Sequence, residues 1–361
     1  TLNRLIPYQT ILKIKTVSLP LIGKYFCNIF ISLFMIVRSY EIESNVLKDN
    51  PLKDPYVRKV YILQTSENVD EAPIVIYLSG FFSSSIALLN YDPISESIIE
   101  KIERLYSQGN IKGLIFVLPD FFTKLGGNQY INSTAVGLYE DFLIKELIPE
   151  LRDIYGQRDI VLMGKSSGGY GALVLGMKYP EIISGIVDHS GDAYFEYVYL
   201  PYFPSVIRQI GREGDHYNWL RKYWDKVNKK EREDLNALYI IAMAAFYSPE
   251  GEKILLPFDL ETGEIIEDIW KKWIEKDPVR LIDRYVDNLK KLKLIYIDVG
   301  TRDEFKINFG SRILHKKMLK YNIKHEYEEF EGGHFNTSFR YDISLSLVSR
   351  VFSNINSQVL Q

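Results

Sequence analysis

Short apolar runs alternate with amphipathic stretches along most of the chain. Runs rich in β-branched residues fall at Arg58–Leu63, Ile74–Ser79, Leu114–Leu118, Ile160–Met163, Gly185–Asp188 and Leu294–Val299. Between them, apolar positions recur at helical spacing over Ile94–Ser107, Tyr139–Tyr155, Gly169–Lys178 and Arg312–Tyr321. Strand and helix take turns, which points to an α/β protein. Several runs are apolar throughout rather than alternating, as strands of a parallel sheet covered on both faces are. The first strands, near Glu41–Leu47 and Arg58–Leu63, have no helix between them and predict an antiparallel start. A last strand at His325–Phe330 and a closing helix at Arg340–Phe352 complete the pattern. The expectation is a mostly parallel sheet of about eight strands with helices on both faces.

Two stretches break this rhythm. Residues 193–291 are helical in pattern and crowded with aromatics, among them Tyr199, Phe203, Trp219, Trp270 and Trp273. An insertion after the sixth strand leaves from the C-terminal edge of the sheet, so it predicts a helical cap. Its aromatics are expected to form mainly its own small core. Its charge run Lys226–Asp234 reads as a solvated helix face. At the other end, residues 1–40 form an apolar extension to a main domain over 41–361. Lys24, Asn28 and Ser32 recur every fourth residue within Leu19–Val37, placing a polar stripe on one helix face. The uninterrupted apolar part is shorter than the roughly 20 residues a bilayer span needs. The segment reads as a helix docked on the body or lying in a membrane surface. A start at Met35 is the third reading.

Composition narrows the function classes. With 46% hydrophobic and 25% charged residues among 361, the chain can fill a globular core. A formal net charge of -3 gives no electrostatic case for nucleic acid. The single cysteine, Cys27, excludes an intrachain disulfide. Five scattered histidines provide no Cys/His cluster at zinc spacing. No small-residue cleavage site follows the apolar extension. The expected location is cytoplasmic, or membrane-associated if residues 19–37 lie on a surface.

Chemistry concentrates on Asp159–Gly171, DIVLMGKSSGGYG. An apolar strand, a turn flanked by Gly164 and Gly168, and a helix-compatible run follow one another. That context suits a nucleophile elbow, with Ser166 exposed at the strand end and Ser167 N–H at a helix N-terminus facing an oxyanion. A serine needs a base, and the base an orienting acid. Asp303 follows the seventh strand, in Gly300-Thr301-Arg302-Asp303, and His334 follows the eighth, in Glu331-Gly332-Gly333-His334. Both loops lie at the sheet edge that carries Ser166, whereas Asp298 falls inside the run Leu294–Val299 and is expected to be a structural carboxylate accepting backbone N–H bonds in that turn. In the loop after the third strand, Phe81 N–H is the second oxyanion donor, and Gly80 permits close approach to substrate. Substrate contact is also assigned to His189 and Asp192, after the sixth strand, with a supporting role behind the site as the alternative for His189, and to Gln129 and Tyr130 in the loop beginning at Gly126, for which a plain loop is the alternative. His189 is a rival base, but chain order favours His334.

These segments resemble the putative esterase family of α/β-hydrolases, the group with esterase D and enterochelin-esterase-like enzymes. The resemblance rests on Asn50–Pro55, Gly126–Ser133, Gly164–Gly171, His189–Asp192, Leu256–Gly263, Gly300–Phe305 and Gly332–His334. It runs from about residue 41 to the C-terminus. It implies a Ser166–His334–Asp303 triad, a small-molecule ester substrate and no cofactor. The expected activity is that of a serine carboxylesterase. Acyl transfer, thioester or peptide cleavage by the same triad is the alternative, and a non-catalytic binding protein on this fold is the reading from another class.

Overall fold

The structure is a computed structural model describing residues 35–65, 69 and 71–353. Eight strands form its main sheet: β1 (Ile36–Glu43), β2 (Val57–Gln64), β3 (Ile74–Leu78), β4 (Ile115–Pro119), β5 (Ile160–Lys165), β6 (Gly185–His189), β7 (Leu294–Gly300) and β8 (Glu326–Phe330). Their order across the sheet is β1-β2-β4-β3-β5-β6-β7-β8. β1 and β2 are antiparallel to each other, β2 is antiparallel to β4, and the remaining neighbours are parallel.

Residues in β3 and β4 are buried at every position, which is why those strands read as unbroken apolar runs. Strand pleating deals their side chains to two cores. Ile74, Ile76 and Leu78 join a large cluster on one face, while Val75 and Tyr77 join another on the opposite face. The second face is covered by α1 (Ile98–Ser107) and by the closing helix Tyr341–Phe352. On the first face lie α2 (Ile148–Tyr155) and α3 (Ser167–Lys178), the latter buried from Ser167 to Met177.

Between β6 and β7 the chain makes the helices α4 (Phe203–Gly211), α5 (His216–Asp225), α6 (Arg232–Tyr247) and α7 (Glu267–Ile274). Phe203, Trp270 and Trp273 pack ring against ring there, and Trp273 Nε1 donates to Ser248 Oγ at 2.8 Å. The helix α8 (Ile307–Lys320) then joins β7 to β8, and the closing helix is α9.

Two local expectations need correction. The run Lys226–Asp234 is not one helix face: α5 ends at Asp225, α6 starts at Arg232, and most of the charges lie on the connection. Asp234 is buried, held by Lys226 Nζ at 2.7 Å and Gln209 Nε2 at 2.7 Å. The first strand occupies 36–43 rather than 41–47, because Ser44 and Asn45 turn away to hydrogen-bond Glu146. Ile36 and Val37, the end of the apolar stretch read as a helix, are therefore strand residues paired with Gln64 and Leu63. Residues 19–34 lie outside the described residues. Among those described, no helix is long and apolar enough to cross a membrane.

Candidate active site

The turn from β5 into α3 is as tight as the glycine spacing implies. A Cβ on Gly164 would stand 2.0 Å from Gly168 O, and one on Gly168 would stand 1.9 Å from Leu78 O. Neither position tolerates a side chain without moving backbone. Gly168→Ala is expected to lower stability by about 3 kcal/mol or more through this overlap. A denaturant midpoint equal to that of the unsubstituted protein would contradict it. Between these glycines, Ser166 sits at φ 56° and ψ -122°, a conformation L-residues avoid unless their surroundings impose it. Its N–H is fixed at 2.9 Å on His189 O, and its carbonyl accepts the first bond of the helix, from Tyr170 N at 2.9 Å.

Asp303 and His334 meet across neighbouring loops. His334 Nδ1 lies 2.7 Å from Asp303 Oδ2, and both side chains are almost wholly buried. Asp303 Oδ1 also accepts from Phe305 N at 2.9 Å, which holds the carboxylate plane. Burial, reinforced by the Lys165 charge, pushes the His334 pKa below the ordinary histidine value, against the pull of Asp303 and Glu304. Asp298, five residues earlier, faces elsewhere. Its oxygens hold His189 Nδ1 at 2.7 Å, Arg340 Nε at 2.8 Å and Tyr296 OH at 3.0 Å. Burial opposes its charge, but His189 and Arg340 outweigh this and keep the carboxyl below its usual range. Its partners are side chains rather than the backbone N–H groups of a turn.

Gly80 brings the loop after β3 against the elbow, where a Cβ would lie 3.3 Å from Ser166 Cβ. Phe82 N donates to Gly126 O at 2.8 Å, whereas Phe81 N–H makes no hydrogen bond among the described residues. Ser167 opens α3, so its N–H is one of the donors a helix leaves unpaired.

Burial distinguishes the four other residues expected to contact substrate. Gln129, Tyr130, His189 and Asp192 are all buried. Gln129 Nε2 donates to Ser167 Oγ at 2.8 Å and its Oε1 accepts from Tyr247 OH at 3.1 Å. Asp192 Oδ2 takes hydroxyls from Tyr199 at 3.0 Å, Tyr239 at 3.3 Å and Ser167 at 3.4 Å. Burial raises the Asp192 carboxyl to about 6, against the lowering effect of those hydroxyls. Tyr130 OH is committed to Ser79 O at 2.7 Å. His189 uses both ring nitrogens, on Asp298 and on Ser344 Oγ at 3.0 Å, and packs against Tyr341. The strand end lies at the correct edge, but pleating turns this ring, like Val187, to the α9 face. Of these side chains, Gln129 and Asp192 hold the Ser167 hydroxyl at the start of α3.

Ring contacts with no local signature in the sequence run around the site. Phe305 stands edge-on to His334 at 4.7 Å and touches Phe335 and Tyr202. Tyr202 touches Tyr239, which lies 5.4 Å from Phe81. The insertion thereby joins the histidine loop to the loop after β3. Among the described residues, no group of three or more His, Cys, Asp or Glu side chains is arranged to hold a metal ion.

The strand order, with an elbow after the fifth strand of the main sheet, defines an α/β-hydrolase fold. The family described as Putative esterase matches residues 132–347, more than half of the chain, and the protein belongs to that family. It is an enzyme of the esterase class. No curated protein matches the sequence. A solved ferulic acid esterase is similar in fold at TM-score 0.54 and 15% identity, with 88% of this chain and 98% of that one covered. An S-formylglutathione hydrolase from Agrobacterium tumefaciens gives 0.51 at 14% identity, over 88% and 96% of the two chains. The fluorophosphonate-binding serine hydrolase F of Staphylococcus aureus gives 0.52 at 13%, over 87% and 98%.

Proposed function

We propose that the protein is a serine carboxylesterase acting on small-molecule esters through Ser166, His334 and Asp303. The observation that carries this reading is the Asp303–His334 contact of 2.7 Å beside a serine held at positive φ on a strand–helix turn. In this reading His334 Nε2 takes the proton of Ser166 Oγ as that oxygen attacks the ester carbonyl. Ser167 and Phe81 N–H groups hold the oxyanion of the tetrahedral intermediate, which collapses with release of the alcohol. His334 supplies the alcohol's proton and then activates the water that hydrolyses the acyl-enzyme. Asp303 holds the imidazole tautomer and stabilises its charged form. The 193–291 insertion serves as a cap, lending Tyr202 and Tyr239 to the rim.

The test is steady-state hydrolysis of p-nitrophenyl esters of increasing acyl length. Saturable turnover of at least one ester supports the reading; no turnover of any acyl length counts against it.

Its pH profile is a second expectation. The base must be neutral, and its pKa is held below the usual value, so activity should survive further into acid than an unperturbed histidine allows. The acid limb of kcat/KM is expected to have a midpoint below about 6.5. A midpoint above that value would contradict the environment described for His334.

A further inference from the structure

Both sides of the His334 main chain are gripped by charged side chains that the reaction itself does not use. Lys165, the residue before Ser166, donates from Nζ to His334 O at 2.6 Å. Glu304, the residue after Asp303, accepts from His334 N at 2.5 Å. The loop's own sequence fits this grip. A Cβ on Gly333 would stand 2.6 Å from Glu304 Oε1, so a side chain there would push the carboxylate from its present position on the amide. A Cβ on Gly300 would stand 2.5 Å from Gly333 O, so the acid loop and the histidine loop also meet backbone to backbone.

We propose that Lys165 and Glu304 are positioning residues that clamp the main chain of His334 between the nucleophile elbow and the acid loop, fixing its ring against Ser166. The inference rests on the triad reading and deepens it. Asp303 fixes only the ring's Nδ1, and a ring can pivot about that contact; the clamp removes the pivot by holding the peptide groups on either side of Cα. Lys165 comes from the same turn as the nucleophile, so one element sets both reacting partners. A displacement of about 1 Å at such a site can cost roughly a hundredfold in rate.

The clamp also carries charge. Lys165 faces Asp303, Asp298, Asp188 and Glu304, while His334 faces Lys165, Asp303 and Glu304. Burial pulls the Lys165 ammonium down to about 8 against those four carboxylates, so it is charged across the acid limb. An ammonium beside His334 disfavours imidazolium, and the Glu304 carboxylate favours it. The two arms therefore push the base in opposite directions, so each leaves its own mark on the acid limb.

The test compares Lys165→Met, Lys165→Arg, Glu304→Gln and Glu304→Ala by kcat, KM, acid limb and melting temperature. Lys165→Met is expected to lower kcat by roughly ten- to a hundredfold with KM little changed. It should also raise the acid limb by roughly half a pH unit or more, because a positive neighbour is lost. Lys165→Arg keeps charge and donor, and should restore the limb and most of kcat. Glu304→Gln keeps an acceptor but loses charge, so its limb should move down; Glu304→Ala should add a loss in kcat. Folded Lys165→Met and Glu304→Ala enzymes with unchanged kcat and limb would overturn the clamp. If Lys165→Met fails to fold, the direction of the Glu304→Gln limb decides, downward supporting and unshifted overturning. His334→Ala is measured alongside. If it stays active, the triad reading falls and the clamp with it; if it is inactive while the Lys165 and Glu304 variants behave as the unsubstituted enzyme, the clamp alone falls.

Discussion

Ser166→Ala is expected to lower kcat for ester hydrolysis by roughly 10³-fold or more while leaving the fold intact. The expectation follows from how the residue is held. Its backbone is bound on both sides, N–H to His189 O and carbonyl to Tyr170 N, and neither bond involves the hydroxyl. Removing Oγ therefore takes away the proposed nucleophile and little else. Melting temperature should stay close to that of the unsubstituted protein, and activity within tenfold of it would place the nucleophile elsewhere.

Asp303→Asn is expected to lower kcat by about 10³- to 10⁴-fold, because an amide beside Nδ1 supports the wrong tautomer. Its stability cost should be small, since an amide oxygen can still accept from Phe305 N. Asp298→Asn should behave in the opposite way. It weakens a buried group of His189, Tyr296 and Arg340, and leaves the Arg340 charge without its buried carboxylate. A loss of about 3 kcal/mol is expected for breaking such a pair from one side. Because Asp298 holds the ring of the residue whose carbonyl fixes Ser166 N–H, kcat should also fall, but by far less than in Asp303→Asn. Measuring kcat and denaturant midpoint for both variants separates the roles; the larger kcat loss on Asp298 would reverse them.

The reason these aspartates could be told apart in the sequence is physical. Asp298 falls inside an apolar run and must take the facing its strand dictates, whereas Asp303 lies past Gly300 on a loop free to reach over the edge. Fully buried strands were legible for the same reason, since a parallel sheet covered on both faces leaves few polar positions. β1 was misplaced because every residue from Ile36 to Glu41 is only half-buried, and an edge strand of that kind carries no clear apolar signal. His189 was legible at the right edge, with its role left open between substrate contact and support, since chain order gives the end of a strand but not the face its last side chain takes. Lys226–Asp234 misled because charge is read as exposure, and Asp234 is a buried carboxylate with its own cation. The ring contacts linking Phe305, Tyr202, Tyr239 and Phe81 join three distant segments, and no local pattern encodes such a meeting.

Fluorophosphonate labelling followed by peptide mapping tests the central claim most directly. The reagent phosphonylates an activated serine, so the result depends on the nucleophile and not on the choice of ester. One equivalent of label is expected on the peptide containing Ser166, abolished in Ser166→Ala and strongly slowed in His334→Ala. Label on any other residue, or undiminished labelling of Ser166→Ala, would contradict the account.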